Sequence, residues 1–564
     1  MRQWMVAAKK ADFYVIAEKF HVDPVVARII RNREVIGEKN IRIYLGGNLS
    51  DLSDPHQMKD MDRLVEILAQ KIRKQVHIRI IGDYDVDGVT SSHLFLTALR
   101  RVGAKVDVII PHRIQDGYGL SLHLLQQAKE DGVDTILTCD NGIAAIPQIQ
   151  YAKEHGLTVI VTDHHDIPFT EENGEKKLLT SCADAIVDPK QPDCEYPFDK
   201  ICGAVVAYKV MQILYEKLGL DKTDFKEYTE LAAIATVGDV VDLKDENRVI
   251  VRQGLAWIAT TKNTGLRALI EACELDAVHL SAYHIGFIIG PCLNASGRLD
   301  TAQRAIELLL CTEPGKAHEM AQELRELNEE RKNMTDTEAK KAIEMVEGTD
   351  LYEDNVLVVY LPECHESVAG IIAGRLREHF YKPSIVITDA ADGAKGSGRS
   401  IEGYNMFEEI TKCKELLTKF GGHPMAAGLS LPTENIDLFR AKLNRQQTLT
   451  EKELTPVTWI DVPMPVSYAS KKLVEQLRVL EPFGKGNEKP VFADRKLTVR
   501  SANMIGKNKN VLKMQLEDTH GHIVDAIQFK VEEEDMPLRG KEISIVYYPD
   551  INEFRGNQTL QFIV

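Results

Sequence analysis

The chain of 564 residues lacks several features that would assign it to a specialised class of protein. No stretch approaches about 18 uncharged apolar residues, so we expect no membrane span. The N-terminus has neither the apolar core nor the small-residue cleavage site of a signal peptide, so we expect no secretion. The nine cysteines are odd in number and form no CxxC pair, which argues against a disulfide framework and a structural zinc site. These absences predict a cytoplasmic protein in a reducing compartment.

The chain also lacks the basic excess that usually marks nucleic-acid-binding proteins, because its formal net charge is −16. The acidity is uneven, since acidic and basic residues are equal in number from Gly484 to the C-terminus. Part of the acidity upstream is compatible with metal ligands, whose charge bound ions would offset. The net charge therefore does not exclude a nucleic-acid substrate.

Hydrophobic patterning predicts several domains. Between about residues 75 and 190, short β-rich runs alternate with amphipathic helices, which indicates a mostly parallel sheet covered by helices. A second α/β pattern begins at NVLVVYLPE, and five short strands after Pro456 are typical of a small β-barrel. The predicted segments are an N-terminal segment packing on the first α/β domain (1–74), the first α/β domain (75–302), a helical connector (303–350), the second α/β domain (351–452) and the barrel (453–564).

Carboxylates and histidines follow the predicted strands and one helix of the first α/β domain. They are Asp83, Asp85, Asp87, Asp140, Asp163, His164, His165 and Asp239. The carboxyl ends of parallel strands meet at one edge of a sheet, where ligands collect. Hard divalent cations take oxygen ligands, and added imidazoles favour Mn²⁺ while still allowing Mg²⁺. DYDVD alone is compatible with an acidic turn, but the whole set predicts metal-dependent hydrolysis of a phosphoester.

The motifs GDYDVDG, TCDNG, TDHHD and ATVGDVVDL, in this order, resemble the metal-binding motifs of the DHH phosphoesterase family. NASGR, AGIIAGRL, GSGRS, FGGHPMAAG and LEPFGKGN are similar to motifs of its single-strand-specific exonucleases, and the resemblance covers nearly the whole chain. It implies two α/β domains, DHH with a parallel sheet and DHHA1, joined by a long helix and followed by a C-terminal OB-fold β-barrel. It also implies a 5′-to-3′ exonuclease that degrades single-stranded DNA to 5′-mononucleotides in DNA repair and recombination.

The resemblance implies a two-metal site for Mn²⁺ or Mg²⁺. Its ligands would be Asp85, Asp87, Asp140, His164 and Asp239. Asp83 would be a sixth ligand or, like Asp163, a further ligand or supporting carboxylate. The catalytic residues would be His165, Asp163 and Arg298. Of these, His165 carries an imidazole, which near neutral pH can orient a phosphate oxygen or donate a proton to it or to the leaving group. A structural role for His165, and a cap or ion pair for Arg298, are the alternatives.

The substrate-binding residues that the resemblance implies are Arg113, Asn294, Arg298, His365, Ser397, Arg399 and His423. Asn294 and Arg298 would contact phosphate, for which arginine offers paired donors. Arg113, Ser397 and Arg399 would form a pocket for the 5′-terminal phosphate. Without the family, residues 396–400 and the glycines before His423 predict only tight turns.

One loop departs from the family's pattern. Members commonly have Trp-His-Pro-Gly before the helix of AGIIAGRL, whereas this chain has Cys364, His365, Glu366 and Ser367. The metal chemistry is unaffected, but the contacts made by this loop cannot be transferred from the family.

The barrel offers candidates for binding a single strand by charge and stacking. Lys507, Lys509 and Lys513 could line a basic groove, and Phe529 or Tyr547 could stack on bases. Solvated lysines, and a barrel that packs only against its neighbours, are the alternatives.

Two other functions stay open. A DHH phosphodiesterase acting on short oligonucleotides or cyclic dinucleotides would share the metal motifs, although such relatives are shorter and lack the barrel. A non-catalytic scaffold derived from the DHH fold would have lost ligand carboxylates. We expect a cytoplasmic monomer without membrane association, with single-stranded DNA as substrate and a single-strand-binding protein as a candidate partner.

Overall fold

A computed structural model describes residues 3–113, 116–117, 119–172, 175–221, 225–506, 509–554 and 556–564. The chain forms two compact units. The larger unit comprises Trp4–Leu293, Ala305–His318 and Trp459–Val564, and the smaller comprises Met1–Gln3, Asn294–Arg304 and Glu319–Thr458. Among the described residues, no helix is both long and apolar enough to cross a bilayer.

The N-terminal residues form one strand and four helices: β1 (Gln3–Val6), α1 (Phe13–Phe20), α2 (Pro24–Asn32), α3 (Glu38–Gly46) and α4 (Met61–Arg73). The apolar stripe of α2, with Val26, Ile29 and Ile30, shares a hydrophobic core with the C-terminal barrel. α4 instead packs into the core of the first α/β domain through residues such as Leu64 and Leu68. The expected packing of residues 1–74 on that domain therefore applies to α4 and in part to α3, whose Tyr44 and Leu45 carbonyls accept from Arg248 and Arg252, whereas α2 packs on the barrel.

The first α/β domain contains a five-stranded parallel sheet in the order β3-β2-β4-β5-β8. Its strands are β2 (His77–Ile81), β3 (Lys105–Ile109), β4 (Thr135–Cys139), β5 (Thr158–Thr162) and β8 (Ala185–Val187), with a separate hairpin of β6 (Phe169–Glu172) and β7 (Glu175–Leu178). The intervening helices are α5 (Val86–Arg101), α6 (Leu122–Glu130) and α7 (Ile146–Glu154). Because β2, β4 and β5 are neighbours, the loops after them lie side by side at the carboxyl edge of the sheet.

A largely helical stretch follows the sheet. Its helices are α8 (Gly203–Lys217), α9 (Thr229–Gly238), α10 (Asp245–Ile258), α11 (Thr264–Ala272), α12 (Ala282–His284), a π-helical turn (Ile285–Ile289), α13 (Gly290–Leu299), α14 (Gln303–Leu310) and α15 (Pro314–Glu347). α8 and α9 are apolar on most sides and are buried against α5, which fixes the start of α8 and the end of α9 near the carboxyl edge of the sheet. The long helix predicted between the two α/β domains is α15.

The second α/β domain contains a five-stranded sheet in the order β12-β13-β11-β10-β9, in which only β9 and β10 are parallel. Its elements are β9 (Leu357–Tyr360), α16 (Glu366–Phe380), β10 (Ser384–Ala390), β11 (Gly393–Arg399), α17 (Met406–Thr411), β12 (Lys419–His423), β13 (Ala426–Leu431) and α18 (Ile436–Gln446). GSGR is therefore a central strand and not a tight turn. The strand has glycine at position 396 because a Cβ there would lie only 2.9 Å from the Leu429 side chain of β13.

The C-terminal segment forms the predicted barrel. Its elements are β15 (Val462–Pro463), α19 (Lys471–Leu477), β16 (Phe492–Ile505), β17 (Val511–Glu517), β18 (Ile523–Phe529), β19 (Glu542–Phe554) and β20 (Asn557–Ile563). The preceding strand, β14 (Val457–Ile460), pairs with β1 in a separate two-stranded sheet. β16 pairs with both β17 and β19, which closes the sheet on itself. Tyr547, a candidate for base stacking, is instead buried in the barrel and donates its hydroxyl to the Met464 carbonyl at 2.8 Å. Phe529 is exposed, and Lys507 lies outside the described residues.

Candidate active site

The predicted metal ligands converge at the carboxyl edge of the parallel sheet. Asp83 follows β2, and Asp85 caps α5 by accepting the Asp87 and Gly88 amides at 2.9 and 3.1 Å. Asp140 follows β4 in the left-handed backbone region, with φ 60°, and Asp239 caps the end of α9. Neighbouring strand ends thus bring together side chains that are far apart in sequence.

These side chains form overlapping groups of potential ligand atoms. In each group the atoms lie within 4.8 Å of one another; the groups are Asp83 with Asp85 and Asp140, Asp87 with His164 and Asp239, and Asp140 with His164 and His165. The first two groups contain all six residues predicted to hold metal. Two neighbouring sets of three potential ligands are compatible with a two-metal site.

His164 connects the two ligand sets. Its Nε2 lies 3.0 Å from Asp140 Oδ1, 3.5 Å from Asp87 Oδ2 and 3.7 Å from Asp239 Oδ2. Burial, followed by the charge of His165, lowers the pKa of His164 to about 3. The imidazole is therefore neutral near pH 7, which is the form that can donate a lone pair to a metal.

The carboxylates repel one another strongly. Burial is the main reason that the pKa values of Asp83, Asp140 and Asp239 lie well above the usual range, and the charges of neighbouring aspartates add to it. Asp83 Oδ1 is buried, and none of the described residues forms a hydrogen bond with it. Oxygen-rich crowding of this kind fits hard divalent cations, which would supply the missing positive charge.

Asp87 is held by a helix that sequence reasoning did not connect with the site. Its carboxylate accepts the Gly203 amide at 2.6 Å and the Ala204 amide at 2.7 Å, both at the start of α8. A Cβ on Gly203 would lie 2.7 Å from Asp140 Cβ, so only glycine fits there. Burial and the charge of Asp85 nevertheless raise the pKa of Asp87 to about 6. The signal in the sequence was a small-residue pair, Gly203 and Ala204, opening an apolar helix.

Asp163 supports His165 instead of standing among the ligand groups. Its Oδ1 lies 2.7 Å from His165 Nδ1 and accepts the His164 amide at 2.8 Å, while Oδ2 accepts the Ile143 amide at 2.9 Å. Burial opposes the ionisation of both groups, but their mutual hydrogen bond and charge prevail: the pKa of Asp163 is lowered, and that of His165 is raised to about 9. The pair is therefore charged near pH 7.

The substrate-binding residue predicted in the first domain, Arg113, is half-buried in the loop after β3. Its guanidinium lies 4.8 Å from the centre of the Tyr84 ring, within the DYD motif. A cation–π contact of this kind orients a guanidinium without neutralising it.

In the smaller unit, the first turns of α16 gather predicted substrate-binding residues from distant parts of the chain. Arg298 donates to the Ser367 carbonyl at 2.8 Å, and His365 caps the helix with its Nδ1 2.6 Å from Ser367 Oγ. Gly370, one turn further on, faces Ser397 and Arg399: a Cβ there would lie 2.7 Å from Ser397 Oγ and 2.8 Å from Arg399 Nη2.

The two remaining predicted residues also lie in the smaller unit. Asn294 is on α13, and its buried Oδ1 has no hydrogen-bond partner in the part of the chain that the structure describes. His423 is exposed at the end of β12, in a paired strand and not in a turn.

Three family models match successive parts of the chain. The DHH family N-terminal domain matches residues 77–236, the DHHA1 domain 353–448 and the RecJ OB domain 460–564. The single-stranded-DNA-specific exonuclease RecJ of Bacillus subtilis is 37% identical over 97% of this chain and 68% of its own length. The protein of the same name from Haemophilus influenzae is 34% identical over 96% of this chain and 95% of its own length. The chain belongs to the RecJ family.

Solved RecJ structures confirm the predicted fold. RecJ of Thermus thermophilus in complex with Mn²⁺ matches with a TM-score of 0.85 and 26% identity, over 100% of this chain and 78% of that one. The complex of the same RecJ with Mg²⁺ gives a TM-score of 0.79 at 25% identity, over 100% and 77%. Two α/β domains, a long helix and an OB-fold barrel are thus the RecJ architecture, and the cofactor prediction agrees with these two ions.

Proposed function

We propose that this protein is a metal-dependent exonuclease that degrades single-stranded DNA from its 5′ end to 5′-mononucleotides, in DNA repair and recombination. The observation that carries the proposal is the meeting of six potential metal ligands beside a charged His165–Asp163 pair. Relatives named single-stranded-DNA-specific exonucleases, similar over nearly the whole chain, support the substrate. The direction and the product rest on the family resemblance.

The metal ligands are proposed to be Asp83, Asp85, Asp87, Asp140, His164 and Asp239. Mn²⁺ or Mg²⁺ bound there would activate water and offset the negative charge that develops on the phosphoryl oxygens. The amides at the start of α8 keep both oxygens of Asp87 in one orientation, and the neutral His164 offers its lone pair without adding charge. The chain thus provides ligand side chains that are held in fixed orientations and are mostly carboxylates.

His165 is proposed to act on the phosphate or on the leaving group. Asp163 anchors Nδ1 of the imidazole, which leaves Nε2 as the nitrogen able to donate a proton. In the metal-free protein, the hydrogen bond and the charge of Asp163 outweigh burial and raise the pKa of His165. Asp163 orients the ring and stabilises its charge, as a carboxylate does for other catalytic histidines.

Substrate binding in the smaller unit is proposed to involve hydrogen-bond donors. Arg298 and His365 would contact the phosphodiester backbone, with Asn294 and His423 as further contacts, and Ser397 and Arg399 would contact the 5′-terminal phosphate. Burial and the charge of Arg377 lower the pKa of Arg399, which remains a cation because the ordinary value is so high. Arginine suits this task because it offers paired donors to phosphate oxygens.

The larger unit contributes two further proposed contacts with DNA. Arg113 would bind near the 5′ end, and the barrel would bind the strand through exposed side chains such as Lys509, Lys513 and Phe529.

The direct test uses long DNA strands labelled at either end, with and without a 5′ phosphate, incubated with the protein and Mn²⁺. We expect mononucleotides to appear from the 5′ end, no reaction in excess chelator and little reaction with blunt duplex. Asp199→Asn, a change at an exposed aspartate, should behave as the unmodified protein and serves as the charge-matched control. Loss of the 3′ label first, or internal cuts, would contradict the proposal.

The same assay separates the alternative enzyme. Cleavage confined to dinucleotides or cyclic dinucleotides would indicate a phosphodiesterase for short substrates. The family and the OB domain favour the exonuclease, because a barrel that binds extended strands has no use with a dinucleotide.

We further propose a cytoplasmic monomer that can receive its substrate from a single-strand-binding protein. All nine cysteines are free thiols, which suits a reducing compartment. Sedimentation of the purified protein tests the oligomeric state, and a pull-down with a single-strand-binding protein tests the partner.

A further inference from the structure

The loop Cys364–Ser367 departs from the family's pattern, and the structure shows what its residues do. Cys364 is buried, and its carbonyl accepts the Thr388 hydroxyl of β10. Glu366 pairs with Lys395 of β11 at 2.7 Å, so its carboxylate is engaged away from His365. The residues on both sides of His365 are therefore engaged with neighbouring strands, Cys364 through its carbonyl and Glu366 through its side chain.

Ser367 restricts the rotation of the His365 ring. The His365 Nδ1 lies 2.6 Å from Ser367 Oγ and 3.3 Å from the Ser367 amide nitrogen. A backbone N–H can only donate, so Nδ1 must present its lone pair, in the way that the side chain of an N-cap residue normally does. The Ser367 hydroxyl then donates to the same nitrogen. With Nδ1 as acceptor, the proton of the neutral ring is on Nε2.

Ser367 also meets a second proposed phosphate contact. Its carbonyl accepts Nη1 of Arg298 at 2.8 Å, and the residue itself is only 3% exposed. One buried residue thus touches both His365 and Arg298, which come from stretches 67 positions apart in the sequence.

We propose that Ser367 is a positioning residue that fixes His365 as its Nε2–H tautomer and holds Arg298 beside it, so that both present donors to the phosphodiester backbone of the strand. The inference rests on the proposed function for the identity of the acceptor. The tautomer itself does not depend on it, because it follows from the hydrogen bonds around Nδ1.

The first test reads the tautomer in the unmodified full-length protein with Mg²⁺. In protein labelled with ¹⁵N-histidine, the ring signals of His365 are identified by their loss in His365→Gln. We expect an unprotonated Nδ1 and a protonated Nε2. A protonated Nδ1 would overturn the proposal, whatever the protein does to DNA.

The second test is kinetic and uses a double-mutant cycle. Ser367→Ala should raise KM for a long single strand about threefold to tenfold, the factor carried by one hydrogen bond of ordinary net strength, with little change in kcat. Ser367→Thr keeps the hydroxyl and should restore KM. In the His365→Ala background, Ser367→Ala should add nothing, because its partner is gone.

The outcomes distinguish this inference from the proposed function. An unchanged KM in Ser367→Ala, or an equal effect with and without His365, would overturn the positioning role while leaving the exonuclease in place. If the unmodified protein does not degrade strands, the proposed function fails, and the tautomer measurement still tests whether His365 Nδ1 is held as an acceptor by Ser367. Since that measurement needs no change at Ser367, poor folding of a Ser367 variant cannot obscure it.

Discussion

The metal-ligand cluster of the larger unit consists of Asp83, Asp85, Asp87, Asp140, His164 and Asp239 and is acidic. The start of α16 in the smaller unit instead meets the basic side chains of Arg298 and Arg399, but the two regions are built in a similar way. In the first, buried carboxylates are oriented by backbone N–H donors, as Gly203 and Ala204 do for Asp87. In the second, donor side chains are oriented by acceptors, as the Ser367 carbonyl does for Arg298 and the Gly398 carbonyl for Arg399. Backbone donors thus orient acceptor side chains in the first region, and backbone acceptors orient donor side chains in the second.

The two regions also differ in what balances their charge. Burial, and after it the charges of neighbouring aspartates, raise the pKa values of Asp140 and Asp239, so these side chains favour a nearby cation. Around Arg399 it is negative charge that is lacking. No carboxylate of the described residues lies within ion-pair distance of it, and Arg377 adds to the positive charge. The difference is the basis for our proposal that catalysis depends on the first region and recognition of the strand on the second.

The largest effect is expected from the metal-ligand cluster itself. Asp140→Asn removes a charge shared by two ligand groups and should lower the rate of strand degradation by more than about a hundredfold, the upper range for groups that only support a metal ligand. The rate is measured with 5′-phosphorylated strands at saturating Mn²⁺, and Asp199→Asn is the control. Degradation at a normal rate would remove Asp140 from the proposed ligands.

A smaller loss of activity is expected from a change at the start of α8, which orients the metal-ligand cluster. Gly203→Ala places a methyl group against Asp140 and disturbs the amides that bind Asp87. The Mn²⁺ concentration needed for half-maximal activity should rise about 10- to 100-fold, as for other residues that orient metal ligands. Gly46→Ala is a control, because a Cβ there has nothing within 4 Å. An unchanged Mn²⁺ dependence would mean that α8 has no influence on the cluster.

The matching change in the other region should alter selectivity and leave the dependence on metal intact. Gly370→Ala would displace Ser397 and Arg399, so the preference for a 5′ phosphate over a 5′ hydroxyl, measured as a ratio of kcat/KM values, should fall about tenfold. Gly374→Ala, one turn along the same helix with open space around it, should keep the preference. If both variants showed the same preference for a 5′ phosphate, Arg399 would have no role in recognising the 5′ end.

The smallest expected effect is the stabilisation of the unmodified protein by Mn²⁺, which should differ between the two regions. Mn²⁺ at about one hundred times its dissociation constant should stabilise the protein by about 2.7 kcal/mol and raise Tm by a few degrees. In amide hydrogen exchange, the added protection should be concentrated at residues 83–88, 139–141 and 163–165 and not at residues 365–370. Equal protection at both would show that metal binding is not confined to the metal-ligand cluster.

The sequence predicted the metal-ligand cluster better than the start of α16, for a physical reason. Parallel strands end at one edge, so Asp83, Asp140 and His164 could be placed together from the order of the strands alone. Nothing comparable brings Arg298 to Ser367, because their contact depends on how a helix start packs within the smaller unit. The glycines of GSGR suggested a turn, whereas they make room in a central strand. Tyr547 suggested stacking, but the alternation along β19 places it inside the barrel.

The most direct test of the central claim is a Mn²⁺ titration of the metal-free protein that follows both ion binding and the release of mononucleotides from a 5′-phosphorylated strand. We predict no release before metal is added, full activity once two ions are bound per chain, and no recovery in Asp140→Asn at the same ion concentrations. Degradation of the strand in excess chelator, or by Asp140→Asn at the normal rate, would contradict the assignment of the chemistry to this cluster.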